Sequence, residues 1–322
     1  MTTVTLPKRR PGEPPQLALG AMNFGKRTPA AESERIVRRA LERGLVIFDT
    51  ANSYNEGESE RILGKALGRD RDRVVLSTKV GLGPVPGQRE GLSPEAMQRA
   101  LGASLERMGA AVVDVYYLHV PDRAVPIEST LDAMKGLVDS GRVRAWGVSN
   151  YAAWEILEMN HLADARGLAR PVVTQVLYNP IHRQLDVEFF AFARRYPIHT
   201  STYNALAGGL LALRSGFGAQ PAKGSRFDRN AMYQRRYWTR TMFDHAAEVR
   251  AVADKHGVDP VDFTYAWLAA QPGVDSILVG PASVDQLDQA IDAVGRPLPP
   301  EALAALGDLA REWLGTDTNY VR

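Results

Sequence analysis

Four ionisable side chains of four different types stand near the ends of three apolar runs. Asp49 follows "VIF", and Tyr54 comes five residues later in the turn-rich "NSYNEG"; Lys79 lies in "VVLSTKV" (74–80) and His119 in "VVDVYYLHV" (112–120). A free phenol, with a pKa of about 10, is a poor acid at neutral pH. An adjacent ammonium favours the phenolate, and a carboxylate beside that ammonium keeps it charged and oriented. Such a phenol hydrogen-bonds a carbonyl oxygen and releases its proton as negative charge develops there. His119 would orient the carbonyl or assist the proton transfer. The set therefore suits carbonyl reduction, with Tyr54 as acid and a hydride arriving from elsewhere. It holds no nucleophile–base pair for hydrolysis and no histidine pair at metal-ligand spacing, so no metal is expected. A lyase or isomerase working through Lys79 as a Schiff-base amine is the different chemistry these residues also permit.

These residues act together only if the fold brings them together. Apolar, β-branched runs recur at 17–24, 45–51, 74–80, 112–120, 143–150, 172–179, 198–206 and 276–282, each followed by a segment with helical spacing. In "AESERIVRRALERG" (31–44), Ile36, Val37, Ala40 and Leu41 share one face and Gly44 stops the helix; "SPEAMQRALGASLERMG" (93–109) starts with Ser93 as N-cap and Pro94 at the first helical position. "SVDQLDQAIDAVG" (283–295) is capped by Ser283. Eight strand–helix units in about 270 residues predict an α/β fold, a (β/α)8 TIM barrel of one domain over 1–322, with a C-terminal helix. An open doubly wound sheet competes, but no glycine-rich fingerprint follows the first strand. In the barrel, the carboxyl ends of all strands open on one mouth, where Asp49, Tyr54, Lys79 and His119 would meet. Two long loops at that face, 81–91 and 214–240, are expected to build the rest of the site.

Composition narrows the classes. The 322 residues are 45% hydrophobic and 24% charged, with a net charge of +2, which favours neither a nucleic-acid nor a membrane partner. The chain has no cysteine, which excludes disulfides, thiolate metal sites and cysteine nucleophiles. The start "MTTVTLPKRRPGEPPQ" lacks an apolar h-region and no run approaches the roughly 18 apolar residues of a membrane span, so a cytoplasmic location is expected.

"FDTANSY" (48–54), "STK" (77–79) and "YLHVPD" (117–122), followed in order by "GVSNY", "TQVLYN" and "ILVGPASVDQLDQ", resemble the aldo-keto reductase superfamily over almost the whole chain. The resemblance implies a (β/α)8 barrel and a catalytic tetrad at Asp49, Tyr54, Lys79 and His119, with Tyr54 and His119 also contacting substrate. It also implies NADPH/NADP+ bound extended across the mouth. By position, Ser149, Asn150 and Gln175 would hold the carboxamide, Tyr203 would stack on the nicotinamide, and "NALAGGLLAL" (204–213) would follow the pyrophosphate with close approach at Gly208 and Gly209. Ser283 and Gln286, at a helix start, and Arg226 would take the 2′-phosphate. Met22, Asp49, Asn204, Leu206, Leu210, Ser225 and Gly280 would line the cofactor path. Where the family usually has an asparagine against adenine this chain has Ala290, which leaves Gln289 for that contact.

"YNPIHRQLDVEFF", "YNALAGGLL", "GSRF", "YQRRYW" and "TNYVR" look like the aflatoxin aldehyde reductase branch, whose members reduce dialdehydes and succinic semialdehyde and often form dimers. The resemblance implies Arg236 and Arg322 as a clamp for a substrate carboxylate, with Tyr237 as an apolar wall, and a homodimer or higher homo-oligomer. A sugar or biosynthetic ketone as substrate, or an NADPH-binding redox-sensing subunit like the channel-associated β-subunits of the same fold, are the competing implications.

Overall fold

The computed structural model describes residues 4, 6–85 and 87–315. Its strands are β1 (Gln16–Gly20), β2 (Ile47–Asp49), β3 (Val75–Val80), β4 (Val113–Leu118), β5 (Val143–Ser149), β6 (Val173–Leu177), β7 (His199–Tyr203) and β8 (Ser276–Val279). Each pairs in parallel with its neighbours in sequence order, and β8 pairs with β1, so the sheet closes on itself as a (β/α)8 barrel. The helices are α1 (Ala30–Glu42), α2 (Glu58–Leu67), α3 (Pro94–Met108), α4 (Ile127–Asp139), α5 (Ala153–Arg166), α6 (Phe189–Arg195), α7 (Ala231–Tyr237), α8 (Arg240–Lys255), α9 (Pro260–Ala270), α10 (Val284–Val294) and α11 (Pro300–Leu314). Three of their ends are written in the sequence: Ser93 Oγ accepts from the Ala96 amide at 3.3 Å, Gly109 turns left-handed after α3, and Ser283 Oγ caps α10.

Several expected strands run past the observed ones, by the longer margin at the mouth. Residues 21–24, 50–51, 204–206 and 280–282 continue the apolar or buried pattern but leave the ladder. Ala21, Phe24, Thr50 and Ala205 are buried under loops, and burial without pairing reads in sequence like a strand. The 214–240 segment is not a plain loop either. Asn230 accepts from the Tyr233 amide at 3.3 Å and starts α7, which carries Tyr233 and Arg236.

Side chains alternate through the barrel wall. Val115 and Tyr117 of β4 pack with Val173 of β6 in a small cluster that Val4 and Leu6 join, whereas Tyr116 belongs to the large core outside and donates to the Met97 carbonyl of α3. Lys8 and the Arg9 amide bind Asp275 at 2.7 and 2.8 Å, tying the N-terminal segment to the amino end of β8. Gly147 is required by this packing. A Cβ there would lie 2.7 Å from Val173 Cγ1 and 2.9 Å from the Tyr117 ring, so its absence lets the Tyr117 ring occupy the barrel beneath Lys79, its register partner on β3.

Candidate active site

The first polar layer at the mouth is a buried ion pair. Lys79 and Asp49 are 0% and 2% exposed, and the Lys79 ammonium donates to Asp49 Oδ1. It also donates to the Thr50 carbonyl at 2.8 Å and to Tyr54 Oη at 3.3 Å. Asp49 accepts further bonds on Oδ2 from Ser77 Oγ (2.7 Å) and Gln175 Nε2 (3.2 Å), so its lone pairs are used by donors from β3 and β6. Full use of both partners is what makes a dry ion pair tolerable. The Tyr54 and Tyr117 rings flank the ammonium at 4.9 and 5.7 Å.

Tyr54 is presented by an unusual turn. Asn55 and Glu56 adopt φ of 51° and 57°, followed by Gly57 at 84°, and two consecutive left-handed non-glycine residues hold only where neighbours fix them. Here Asn55 Nδ2 donates to the carbonyls of Met22 (3.1 Å) and Phe24 (2.7 Å), which fastens the turn to the loop after β1. The His119 ring meets the phenol edge-on, with centroids 5.9 Å apart. His119 is 8% exposed and its Nδ1 is buried without a partner among the described residues.

The electrostatics correct one expectation. Burial, reinforced by the Asp49 carboxylate, pushes the Tyr54 phenol well above its usual range, with only Arg226 opposing. The ammonium at 3.3 Å therefore faces a neutral phenol rather than a standing phenolate. Burial pushes Lys79 down while Asp49 pulls it back up, and burial together with the Lys79 charge holds His119 well below the usual imidazole range, as neutral imidazole.

A chain of polar contacts leads from this centre across the mouth. Gln175 touches Asp49, Ser149 Oγ donates to the Gln175 carbonyl at 2.9 Å, and Asn150 Nδ2 donates to the His119 carbonyl (2.9 Å) and to Ser149 Oγ (3.0 Å). Tyr203 closes it, donating to Asn150 Oδ1 at 2.6 Å. Burial raises the Tyr203 phenol to about 12 against the pull of Arg236, so that guanidinium stands beside it. Arg236 also helps burial to hold His182 down at about 4.

The comparisons with known proteins agree with this geometry. Residues 16–311 match the model of the Aldo/keto reductase family. The chain belongs to the aldo/keto reductase family. Among its relatives are the human aldo-keto reductase family 7 member A3, 36% identical over 90% of this chain and 92% of that one, and the human aflatoxin B1 aldehyde reductase member 2, 35% identical over 91% and 86%. A probable voltage-gated potassium channel subunit beta of Arabidopsis thaliana is 32% identical over 86% of this chain and 87% of its own. Membership supports an oxidoreductase, and aldo/keto reductases use nicotinamide cofactors, generally NADP(H).

The mouth of this aldo/keto reductase fits a dinucleotide on its own residues. Asn204, Ala207, Gly208 and Gly209 take φ of 61°, 51°, 72° and 105°, and a Cβ added at Gly209 would meet nothing within 4 Å, so this backbone faces open space. Asn204 Nδ2 and Ser225 Oγ are buried without a partner among the described residues, polar atoms that a ligand on that path would satisfy. Gly280 is equally roomy, with only the Gly20 carbonyl at 3.8 Å.

Several other residues expected to bind have their side chains committed to protein partners. Arg226 donates to Met22 Sδ (3.0 Å) and Asn23 Oδ1 (2.6 Å) and lies over Tyr233 at 5.2 Å, beside the loop after β1, whose Asn23 in turn donates to the Gly280 and Pro281 carbonyls just before α10. Gln286 turns its Oε1 to the Ala282 amide, and Gln289 donates to Asp262 Oδ1 (2.9 Å) and Asp259 Oδ1 (3.2 Å), so the adenine contact expected of Gln289 has its amide pointed at α9. Ala290 is fully buried. Leu206 is half-buried, while Leu210 is fully buried and gives its carbonyl to Arg250. Tyr237 is 0% exposed and packs against His182, Tyr233 and Phe227; as a wall of the substrate bowl it is corrected to a packing residue. Arg322 lies outside the described residues. Sequence reading missed the supports: Ser77, Thr50 and Asn55 hold the centre, and Glu90 Oε1 accepts from Asn52 Nδ2 (2.6 Å) and the Gly81 amide (2.9 Å), closing the 81–91 loop onto the rim. The turn signal in "YNEG" and the expectation that the 81–91 loop builds part of the site pointed to Asn55 and Glu90; nothing pointed to Ser77 or Thr50.

Proposed function

We propose that the protein reduces aldehydes and ketones to alcohols with NADP(H), and that Tyr54 is the general acid. The observation that carries this reading is the Lys79 ammonium, 3.3 Å from the Tyr54 hydroxyl and otherwise committed to Asp49 and the Thr50 carbonyl. When bound, the reduced dinucleotide supplies the hydride that the substrate's carbonyl carbon receives. Tyr54, protonated because it is buried, donates its proton to the carbonyl oxygen as charge grows there. The phenolate left behind is stabilised by the ammonium already beside it, and Asp49 keeps that ammonium in place. Neutral His119, edge-on to Tyr54, positions the oxygen from the other side. Gln175, Ser149, Asn150 and Tyr203 would orient the nicotinamide, and the 204–210 backbone would follow the pyrophosphate.

Aldehydes that carry a carboxylate, and dialdehydes, are the proposed substrates. The support is the Arg236 guanidinium beside Tyr203 together with the relatives named as aflatoxin B1 aldehyde reductases. The channel-subunit relative supports a second reading, an NADPH-binding sensor. Tyr54→Phe separates the two. Turnover of an aldehyde panel should fall roughly 10²–10⁴-fold while the dinucleotide dissociation constant is unchanged; undiminished turnover in the variant removes Tyr54 as the acid, and no turnover by the unaltered protein favours the sensor.

A further inference from the structure

The start of α10 is where the adenosine end of the proposed dinucleotide is expected, and in this chain it already carries a carboxylate. Glu32, in the first turn of α1, accepts a hydrogen bond from the Val284 amide at 3.1 Å through Oε1, and its Oε2 meets Arg35 at 2.7 Å. The Glu32 side chain is 23% exposed and that of Arg35 is 67% exposed, so the acid is pressed onto the helix while its counter-charge stands in solvent. The adjoining polar groups are committed: Ser283 Oγ to the Gln286 amide and Gln286 Oε1 to the Ala282 amide. Asp285 adds a second negative charge to the same turn. The cations nearby have other partners: Arg39 and Arg43 pair with Asp288, Arg226 donates to Met22 and Asn23, and Arg27 donates to Asn23 and the Gly224 carbonyl.

A helix start normally attracts anions through its free amides and its dipole. Here a carboxylate has taken one of those amides and cancels part of that attraction. A carboxylate accepts hydrogen bonds from ribose hydroxyls, which is how dinucleotide sites read an unphosphorylated adenosine ribose. Towards a phosphate dianion the same group is a like charge at close range. We infer that Glu32 sets the choice between dinucleotides, favouring the free 2′-hydroxyl of NADH and penalising the 2′-phosphate of NADPH, so that the protein uses both. This inference rests on the dinucleotide reading proposed above.

The test measures dissociation constants of NADPH and NADH directly, by quenching of tryptophan emission, in the unaltered protein, Glu32→Gln and Glu32→Ala. Glutamine keeps an acceptor for the Val284 amide and removes only the charge, so the contact between α1 and α10 survives in that variant. Glu32→Gln should raise the ratio of the NADH to the NADPH dissociation constant about tenfold, the factor that corresponds to ~1.4 kcal/mol for one partly screened like charge; Glu32→Ala should shift it the same way. If both dinucleotides bind and the ratio is unmoved in both variants, Glu32 is only a bridge between two helices and the inference is overturned. If neither dinucleotide binds any of the three proteins, the dinucleotide reading itself fails and takes this inference with it.

Discussion

Replacing Lys79 tests the centre of the site, because one side chain there has a structural task and, in the proposed mechanism, a chemical one. Lys79→Met preserves length and apolar volume while deleting an ammonium that is fully buried and donates to Asp49, Thr50 and Tyr54. The carboxylate of Asp49, 2% exposed, is then left with only Ser77 Oγ and Gln175 Nε2. Stranding one member of a buried pair costs about 3–5 kcal/mol, a large share of the roughly 5–15 kcal/mol that holds a domain folded. Lys79→Met/Asp49→Asn removes the stranded charge and should recover about half of that loss, since an amide still accepts from Ser77. Turnover should behave differently. Both variants lack the cation facing the Tyr54 oxygen, so both should fall by a factor of roughly 10²–10⁴, as when a positioned acid–base group is disabled. Urea unfolding followed by circular dichroism gives the first quantity, and aldehyde-dependent loss of NADPH absorbance the second. A cost below about 1 kcal/mol for Lys79→Met would show that the pair is not dry. Turnover returning in the double variant would show that Lys79 holds the fold and has no part in the chemistry.

Two further outcomes follow from the rim. Arg236→Ala should raise KM for succinic semialdehyde at least about tenfold, the loss of one charge-assisted contact, and leave KM for an uncharged aldehyde of similar size within about twofold; equal changes for both substrates would remove Arg236 as a carboxylate clamp. His182 is held at about 4, and His119 and His199 are also depressed by burial. A histidine kept neutral in the fold protonates first in the unfolded chain, so stability is full above about pH 6.5 and declines as the pH falls from there towards 4, by at most about 3 kcal/mol for His182. Urea midpoints at pH 7.5 and 4.5 measure this, and equal midpoints would show that these rings are not buried as described.

What was legible in the sequence divides by physical cause. The barrel was legible because strand runs alternate with capped amphipathic helices, and Ser93 and Ser283 cap in the structure as their positions indicate. The centre was legible because four ionisable types fall at three successive strand ends, which a barrel must bring to one mouth. Contacts made by loops were not. Arg226 sits in a segment whose path is fixed by Asn23 and Tyr233, two residues far apart in sequence, and nothing local reveals that pairing. The same holds for Gln289, whose side chain was free to face the mouth or α9 and faces Asp262. Tyr237 illustrates a third cause. In an aromatic-rich loop, "RRYW" reads as a wall for ligand, and only the rings of Phe227, Tyr233 and His182 around it show that it is filler under α7.

The direction of the Tyr54 shift has a consequence for how the site works. A phenol acidified in advance would spend part of its time ionised, unable to donate, and would present negative charge to an incoming carbonyl oxygen. Burial and Asp49 instead keep Tyr54 protonated, while Lys79, already anchored by Asp49 and Thr50, lies 3.3 Å from the atom on which charge would appear in the proposed mechanism. The cation then stabilises the phenolate mainly once it exists, and an interaction that strengthens in the transition state is the kind that raises turnover rather than merely binding. Reduction should accordingly show no loss of rate from phenol ionisation as the pH is raised through neutrality, whereas a preformed phenolate would make the rate fall across that range. A declining limb between pH 6 and 8 that moves to lower pH in Asp49→Asn, where the carboxylate no longer raises the phenol, would overturn this order of events.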